Sequence, residues 1–200
     1  MLAERTRTTT TPTAEPAERV PTVRVKRLVA QAQTGSRDAF EELYRIHFDR
    51  IYGYLRLSVG NRHDAEDLTN QTFIRMLESI DRFVWRQVPF SAWLFRIAHN
   101  LLIDHFRTSK RTTSEEELEH PDVLEASAED EAMTALGHES MLKLIGGLSP
   151  DQRQVLTLKF GFDFANAEIA AILGKSEGAV KALQHRAMGT LEQRLEHTHA

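Results

Sequence analysis

The chain has no cysteine. That excludes disulfides and thiolate zinc sites, and it fits a cytoplasmic protein. Long hydrophobic runs are missing too. No stretch of about 18 apolar residues occurs, so no membrane span is expected, and the first residues hold no apolar signal core, so no secretory leader is expected. There is no excess of positive charge: 25 Lys and Arg stand against 29 Asp and Glu, a net charge of −4. A nucleic-acid partner would therefore have to be met by local basic patches. What is present, 200 residues with 41% hydrophobic content, suffices for one or two small packed domains and leaves room for disordered parts.

One such patch stands out. Over residues 82–111 the cations Arg82, Arg86, Arg96, Arg107, Lys110 and Arg111 face a single acid, Asp104. Within it Phe90, Trp93, Leu94, Ile97, Ala98, Leu101 and Leu102 recur at steps of three and four, which predicts an amphipathic helix. Pro89 suits its first turn, where no N–H is needed. The opposite face carries Arg96, Asn100, Asp104 and Arg107, and a segment bearing Phe83 and Trp85 precedes the helix. Arginines can hold phosphates, aromatic faces can stack on bases, and an amide can read a base edge, as a separated nucleic-acid strand requires. An ordinary core helix with a solvated charged face has the same composition, so the residues alone leave both readings open.

Taken in order, residues 1–21 are rich in Thr, Pro and Ala and are expected to be a disordered tail. Val25, Leu28, Val29 and Ala32 predict a short first helix. Ser36 can cap a second, in which Phe40, Leu43, Tyr44, His47, Ile51, Tyr54 and Leu55 share a face up to Gly60. His47 on that apolar face reads as a core histidine rather than a metal ligand. Asn61 starts a third helix, whose buried face is expected to be Leu68, Phe73, Leu77 and Ile80. Its acids Asp64, Glu66 and Asp67 suit a helix N-terminus. From Thr112 to Leu136 there is no Lys or Arg, while acids cluster between Glu115 and Glu131. Mutual repulsion makes 112–131 an extended linker and the clearest domain boundary. A helix over about 129–145 reopens ordered structure. Ser149-Pro150-Asp151-Gln152 is a strong helix start. In Asn166–Ala187 a short helix meets Gly174, and Ser176 caps a second helix that buries Val180, Leu183, Ala187 and Leu191. That is the pattern of a helix-turn-helix, whose second helix enters the DNA major groove, although any αα-hairpin could share it. His197 and His199 read as a frayed terminus.

The run F-x-A-W-L-x-R-I-A-x-N-x-x-I-D-x-x-R, Phe90 to Arg107, closely resembles region 2 of bacterial sigma factors, and within the sigma-70 family the small extracytoplasmic-function (ECF) group. Two further runs extend the likeness. D-A-E-D-L-T-x-x-T-F, Asp64 to Phe73, is similar to the region 2.2 segment. L-S-P-x-x-R-x-V-L from Leu148, followed by E-I-A-x-I-L-G-x-S-E-G-A-V-K, resembles region 4. The resemblance covers about residues 25–195 and implies an all-α chain: a region 2 helical bundle (22–111) and a region 4 helix-turn-helix domain (132–196), joined by an acidic flexible linker and followed by a tail, 197–200.

The resemblance also implies the roles. Asp64, Glu66, Asp67, Asn70 and Gln71 would lie at the contact with the β′ clamp helices of core RNA polymerase, where relatives often carry Gln then Glu in place of Asn70 and Gln71. Phe83, Trp85, Arg86, Arg96, Asn100 and Arg107 would capture the melted −10 strand, with Asn100 at the pocket for a flipped base. Ser176, Glu177, Lys181, His185 and Arg186 would face the −35 duplex, with Lys181 and Arg186 suited to phosphates or guanine edges. Ala182 and Leu183 stand where relatives often have Ser and Arg, and Ala165 where a capping Ser is common. The acidic linker would either mimic nucleic acid in the polymerase channel or merely act as a solvated spacer. The implied partners are core polymerase (β′ clamp and β flap), promoter DNA and an anti-sigma factor. No cofactor, metal or catalytic residue is implied.

Two other classes compete. A plain helix-turn-helix regulator would bind duplex DNA alone and would not need the Phe83–Asn100 pattern. An enzyme could enlist His99, Asp104 and His105, but helical spacing sends His99 and His105 to different faces. No metalloprotease, phosphate-loop or nucleophile motif is present.

Overall fold

A computed structural model of the chain describes residues 22–85, 88–112 and 147–198, with 109–112 and 195–198 as backbone alone. The expected tail 1–21, positions 113–131 of the acidic linker, the helix expected over 129–145 and Arg86 lie outside the described residues. Among the described residues every regular element is helical: α1 (Thr22–Gln33), α2 (Arg37–Val59), α3 (Arg62–Ser79), a 3-10 turn (Ile80–Arg82), α4 (Phe90–Thr112), α5 (Pro150–Leu156), a π-helical turn (Thr157–Gly161), α6 (Asn166–Leu173) and α7 (Glu177–Thr198).

The boundaries follow from local chemistry. Ser36 Oγ accepts from the Ala39 N–H, and Asn61 Oδ1 from the Asp64 N–H. Ser149 and Gln152 form a complete capping box with Pro150 in the first turn. Each satisfies backbone donors that the first turn leaves without helical partners. Gly60 and Gly174 close α2 and α6 in the left-handed conformation, at φ 80° and 63°. Ala165 offers α6 no side-chain cap, so the helix start keeps only the reciprocal half of the box, Ala165 N–H donating to Glu168 Oε2 at 2.6 Å.

α2 packs on α1, α3 and α4, and α3 on α4. Leu43, Ile51, Tyr54 and Leu55 of α2 meet Phe90, Leu94, Phe95, Ala98 and Leu102 of α4 in a core from which solvent is excluded. α7 packs on α5 and on α6, and the π-helical turn on both α5 and α6, with Val155, Leu158, Ile169, Ile172, Val180 and Leu183 buried. α4 also packs directly on α6, so one continuous core crosses from the first helical region into the second. Two expectations need correcting. Leu77 does not face the core but is 59% exposed, because α3 turns only its Leu68, Thr72, Phe73 and Met76 side inward. α4 has not one buried stripe but two, because Phe95 and His99 are also buried, on the side that meets α6 and the turn before it.

Candidate nucleic-acid and partner interfaces

α4 presents Arg96, Asn100, Ile103, Asp104 and Arg107 to solvent. Arg107 pairs with Asp104 at 2.9 Å within that face. Beside it, the end of α3 and the 3-10 turn complete an open groove of 580 Å³, lined by Arg75, Ser79, Arg82, Asn100, Leu101 and Asp104 among others. Its amide and guanidinium groups suit a nucleotide, offering donors to phosphate oxygens and a donor and acceptor to a base edge. Arg75 and Arg82 were not among the expected site residues. The signal that could have found Arg75 is its place on the exposed side of α3, one helical turn before Ser79 at the mouth of the expected loop.

The loop residues occupy two different settings. Phe83 is only 8% exposed, with its ring centroid 5.2 Å from Trp85, 5.3 Å from Phe90 and 5.0 Å from Trp93. Its carbonyl accepts a 2.7 Å hydrogen bond from Gln33 Nε2, which also donates to the Ile80 carbonyl at 2.9 Å. Phe83 is thus packed within an aromatic cluster that holds the start of the loop in place. Trp85 is half-buried, with the Lys26 ammonium 5.4 Å from its ring centroid.

The expected polymerase face divides in the same way. Asp67, Asn70 and Gln71 are exposed along α3, and the stripe continues through Ile74, 55% exposed, and Leu77. Asp64 is half-buried and held from two sides, by Asn61 Nδ2 at 2.8 Å and His105 Nε2 at 3.3 Å. It ties the start of α3 to α4. Glu66 pairs with Arg62 at 2.7 Å. Ile74 was missed because it falls at a helical spacing that also suits the core.

In the second region α6, Gly174 and α7 make the helix-turn-helix. Gln184 Nε2 donates to Asn166 Oδ1 at 3.0 Å, and Ser176 Oγ accepts from the Ala179 N–H. Lys175 pairs with Asp151 at 2.8 Å, fixing the turn to α5. Val180, Leu183 and Ala187 point inward, leaving Ser176, Glu177, Lys181, His185 and Arg186 exposed on one side of α7. Lys181 and Glu177 pair at 2.9 Å, an exposed contact that a phosphate could displace at little cost.

Two buried histidines lie beneath these surfaces. His47 is pushed down to about 4 by burial first and by Arg50 second. His99 is also lowered to about 4, by burial, then Lys175, with Asp151 opposing and Arg96 adding to the drop. The buried Tyr54 hydroxyl, whose pKa burial raises, shares a 3.1 Å hydrogen bond with His99 Nδ1. Neither ring nitrogen of His47 has a hydrogen-bond partner.

Comparison with known proteins agrees with both regions. Sigma-70 region 2 matches residues 43–112, and Sigma-70 region 4 matches residues 138–191. The chain is similar to the ECF RNA polymerase sigma factor BldN of Streptomyces coelicolor, 40% identical over 183 residues, which are 90% of this chain and 69% of the relative. It is similar to the ECF RNA polymerase sigma factor SigW of Bacillus subtilis, 32% identical over 186 residues, 86% of this chain and 96% of the relative. Among solved structures it resembles CnrH in complex with the cytosolic domain of CnrY, with a TM-score of 0.64, 27% identity, and coverage of 86% of this chain and 97% of that one. With two region matches in order and relatives matched over most of their length, the chain belongs to the ECF sigma factors of the sigma-70 family.

Proposed function

We infer that the chain is a transcription initiation subunit that binds core RNA polymerase and directs it to promoters through −10 and −35 elements. It makes no bond itself; the polymerase supplies the chemistry. The observation that supports this reading is that one chain carries, in family order, two differently built polar surfaces that suit DNA. One is the Asn100 groove between α3 and α4, shaped for a single strand, and the other is the exposed side of α7, shaped for a major groove. A plain helix-turn-helix regulator would use only the second.

In this reading Asp67, Asn70 and Gln71, with Ile74 and Leu77 beside them, dock on polymerase, while Asp64 supports that face through His105. Asn100 reads the opened strand, with Arg96 on its phosphates. Lys181, His185 and Arg186 meet the upstream duplex. CnrH is solved bound to the cytosolic domain of CnrY, and a protein partner on this chain, an anti-sigma factor, suits the exposed apolar positions of α3. Among the described residues no helix is long and apolar enough to cross a membrane.

The test is reconstitution of the full chain with bacterial core polymerase on a pool of promoter fragments. Discrete start sites that depend on the added chain are expected; no binding to core would overturn the reading. Asn100→Ala is expected to cut open-complex formation about 5- to 150-fold, the 1–3 kcal/mol of one good base contact, without weakening polymerase binding. Loss of both together would indicate misfolding instead. Lys181→Ala combined with Arg186→Ala is expected to weaken upstream duplex binding and to flatten its log–log salt slope by about 2, one unit per phosphate contact. An unchanged slope would remove both residues from the phosphate contacts.

A further inference from the structure

α1 supplies no side chain to the groove beside Asn100, yet it holds one wall of that groove from behind. Gln33 is its last residue. The Gln33 Nε2 amide donates to the Ile80 carbonyl at 2.9 Å and to the Phe83 carbonyl at 2.7 Å. A side-chain amide nitrogen has two hydrogens, so both donors are used and both go to backbone. These two carbonyls bracket the 3-10 turn and the start of the loop, and the Ile80 and Phe83 side chains are buried. The Phe83 N–H closes the turn on the same Ile80 carbonyl at 3.1 Å. Seven positions before Gln33, two helical turns or about 10 Å along the same side of α1, the Lys26 ammonium lies over the Trp85 ring. One side of α1 therefore holds residues 80–85 at both ends.

Gln33 is itself well placed to hold something else. Val25, Leu28, Val29 and Ala32 seat α1 in the core, and Arg24 pairs with Glu42 of α2. Directly after Gln33 the chain turns tightly: the Thr34 N–H donates to the Gln31 carbonyl at 3.1 Å and the Gly35 N–H to the Ala32 carbonyl at 2.9 Å. Between the two pinned carbonyls stands Arg82, which lines the groove opposite Asn100. Val84, 62% exposed, follows directly. The placement of Arg82 and of the loop tip relative to Asn100 thus runs through one amide. Without its N–H donors the Phe83 carbonyl would have to turn towards water, since an unpaired carbonyl beside a core is costly, and the loop would turn with it.

We propose that Gln33 is a positioning residue for base selection. By holding the carbonyls on either side of Arg82 it fixes the loop against Asn100, and so sets which base the groove accepts without touching DNA itself. The proposal rests on the strand-reading role given to Asn100. It gives α1 a part in promoter choice that is separate from affinity for polymerase. A merely structural glutamine would behave differently: its loss would lower the amount of folded chain and leave the choice among promoters as it was.

The test uses the full chain with core polymerase and a promoter recovered in the reconstitution above, its −10 bases randomised. The readout is the ratio of transcripts from preferred and disfavoured bases. All templates compete for one pool of polymerase bound to the chain, so any loss of folded chain cancels in the ratio. Gln33→Met keeps an unbranched side chain and removes both donors, whereas Gln33→Lys supplies N–H donors again. Gln33→Met is expected to reduce discrimination at the most selective −10 position about tenfold, the order set by two lost hydrogen bonds, with polymerase binding and helical content unchanged. Gln33→Lys is expected to recover most of that discrimination. An unchanged ratio in Gln33→Met, while Asn100→Ala flattens it, would overturn the positioning role and leave the function standing. Equal flattening by Gln33→Met and Gln33→Lys would overturn the assignment to the amide donors. If Asn100→Ala also leaves the ratio unchanged, the strand-reading role fails and the positioning role falls with it.

Discussion

Lowering the pH from 6.5 to 4 is expected to remove about 5 kcal/mol of folding stability, a large part of what a small domain has. The cause is the pair of buried histidines. Each is held at about 4 in the folded chain, against 6.5 when exposed. The folded state keeps both rings neutral while the unfolded chain binds protons from pH 6.5 downward. The stabilisation is therefore fully present above pH 6.5, is lost progressively as pH falls, and stops falling below about 4. A gap of this size corresponds to about 3 kcal/mol for each ring. For His47 the main cause is burial, beside the Phe90 ring at 5.5 Å, with the Arg50 cation adding to it. For His99 burial again leads, and Lys175 and Arg96 outweigh Asp151. His47 can be isolated, because its two nitrogens lack partners and an apolar side chain of similar volume loses no hydrogen bond. His47→Leu is expected to be more stable than wild type at pH 5 and to lose about half of the decline between pH 6.5 and 4. Urea unfolding over that range measures both, and an undiminished decline in the variant would place its source elsewhere.

Much of this architecture was legible from local chemistry. Ser36, Asn61, Ser149 and Ser176 announce helix starts, and Gly60 and Gly174 announce ends, because caps depend on residues three or four positions apart. The helix-turn-helix was legible for the same reason. What sequence could not show is contact between distant segments. Phe95 and His99 looked like gaps in the stripe of α4, since the second surface that buries them comes from Phe162, Phe164 and α6, more than sixty positions on. Leu77 and Ile74 fit a helical period but lie on a side of α3 that no described segment covers, and periodicity carries no information about which apolar side finds a partner. The packing of Phe83 was hidden for the opposite reason. An aromatic residue in a loop suggests stacking on a ligand, but Gln33, fifty positions earlier, pins its carbonyl and turns the ring into the core.

Phe95 is where the two regions share a core, so Phe95→Ala is expected to cost about 4 kcal/mol, the usual range for emptying a buried phenylalanine site. The ring is fully buried and in contact with Tyr54, Phe162 and Phe164. Its loss therefore leaves a cavity bordered by α2, α4 and the segment before α6, and helices from separate parts of the chain cannot all move to close it. For a chain of this size the melting temperature should fall by roughly 8–16 °C. Phe160 provides the contrast: it is 69% exposed, and its replacement by Ala should change stability by less than about 0.5 kcal/mol. Equal effects at the two positions would contradict the packing described here. The decisive quantity is the coupling between Phe95→Ala and Phe162→Ala. Residues in contact couple by roughly 0.5–3 kcal/mol, whereas distant sites add almost independently. Coupling in that range would show that Phe162 is seated against Phe95 in solution, because Phe95 belongs to region 2 and Phe162 to region 4. Additivity would show that each residue packs only within its own region, and that the shared core does not hold the regions together.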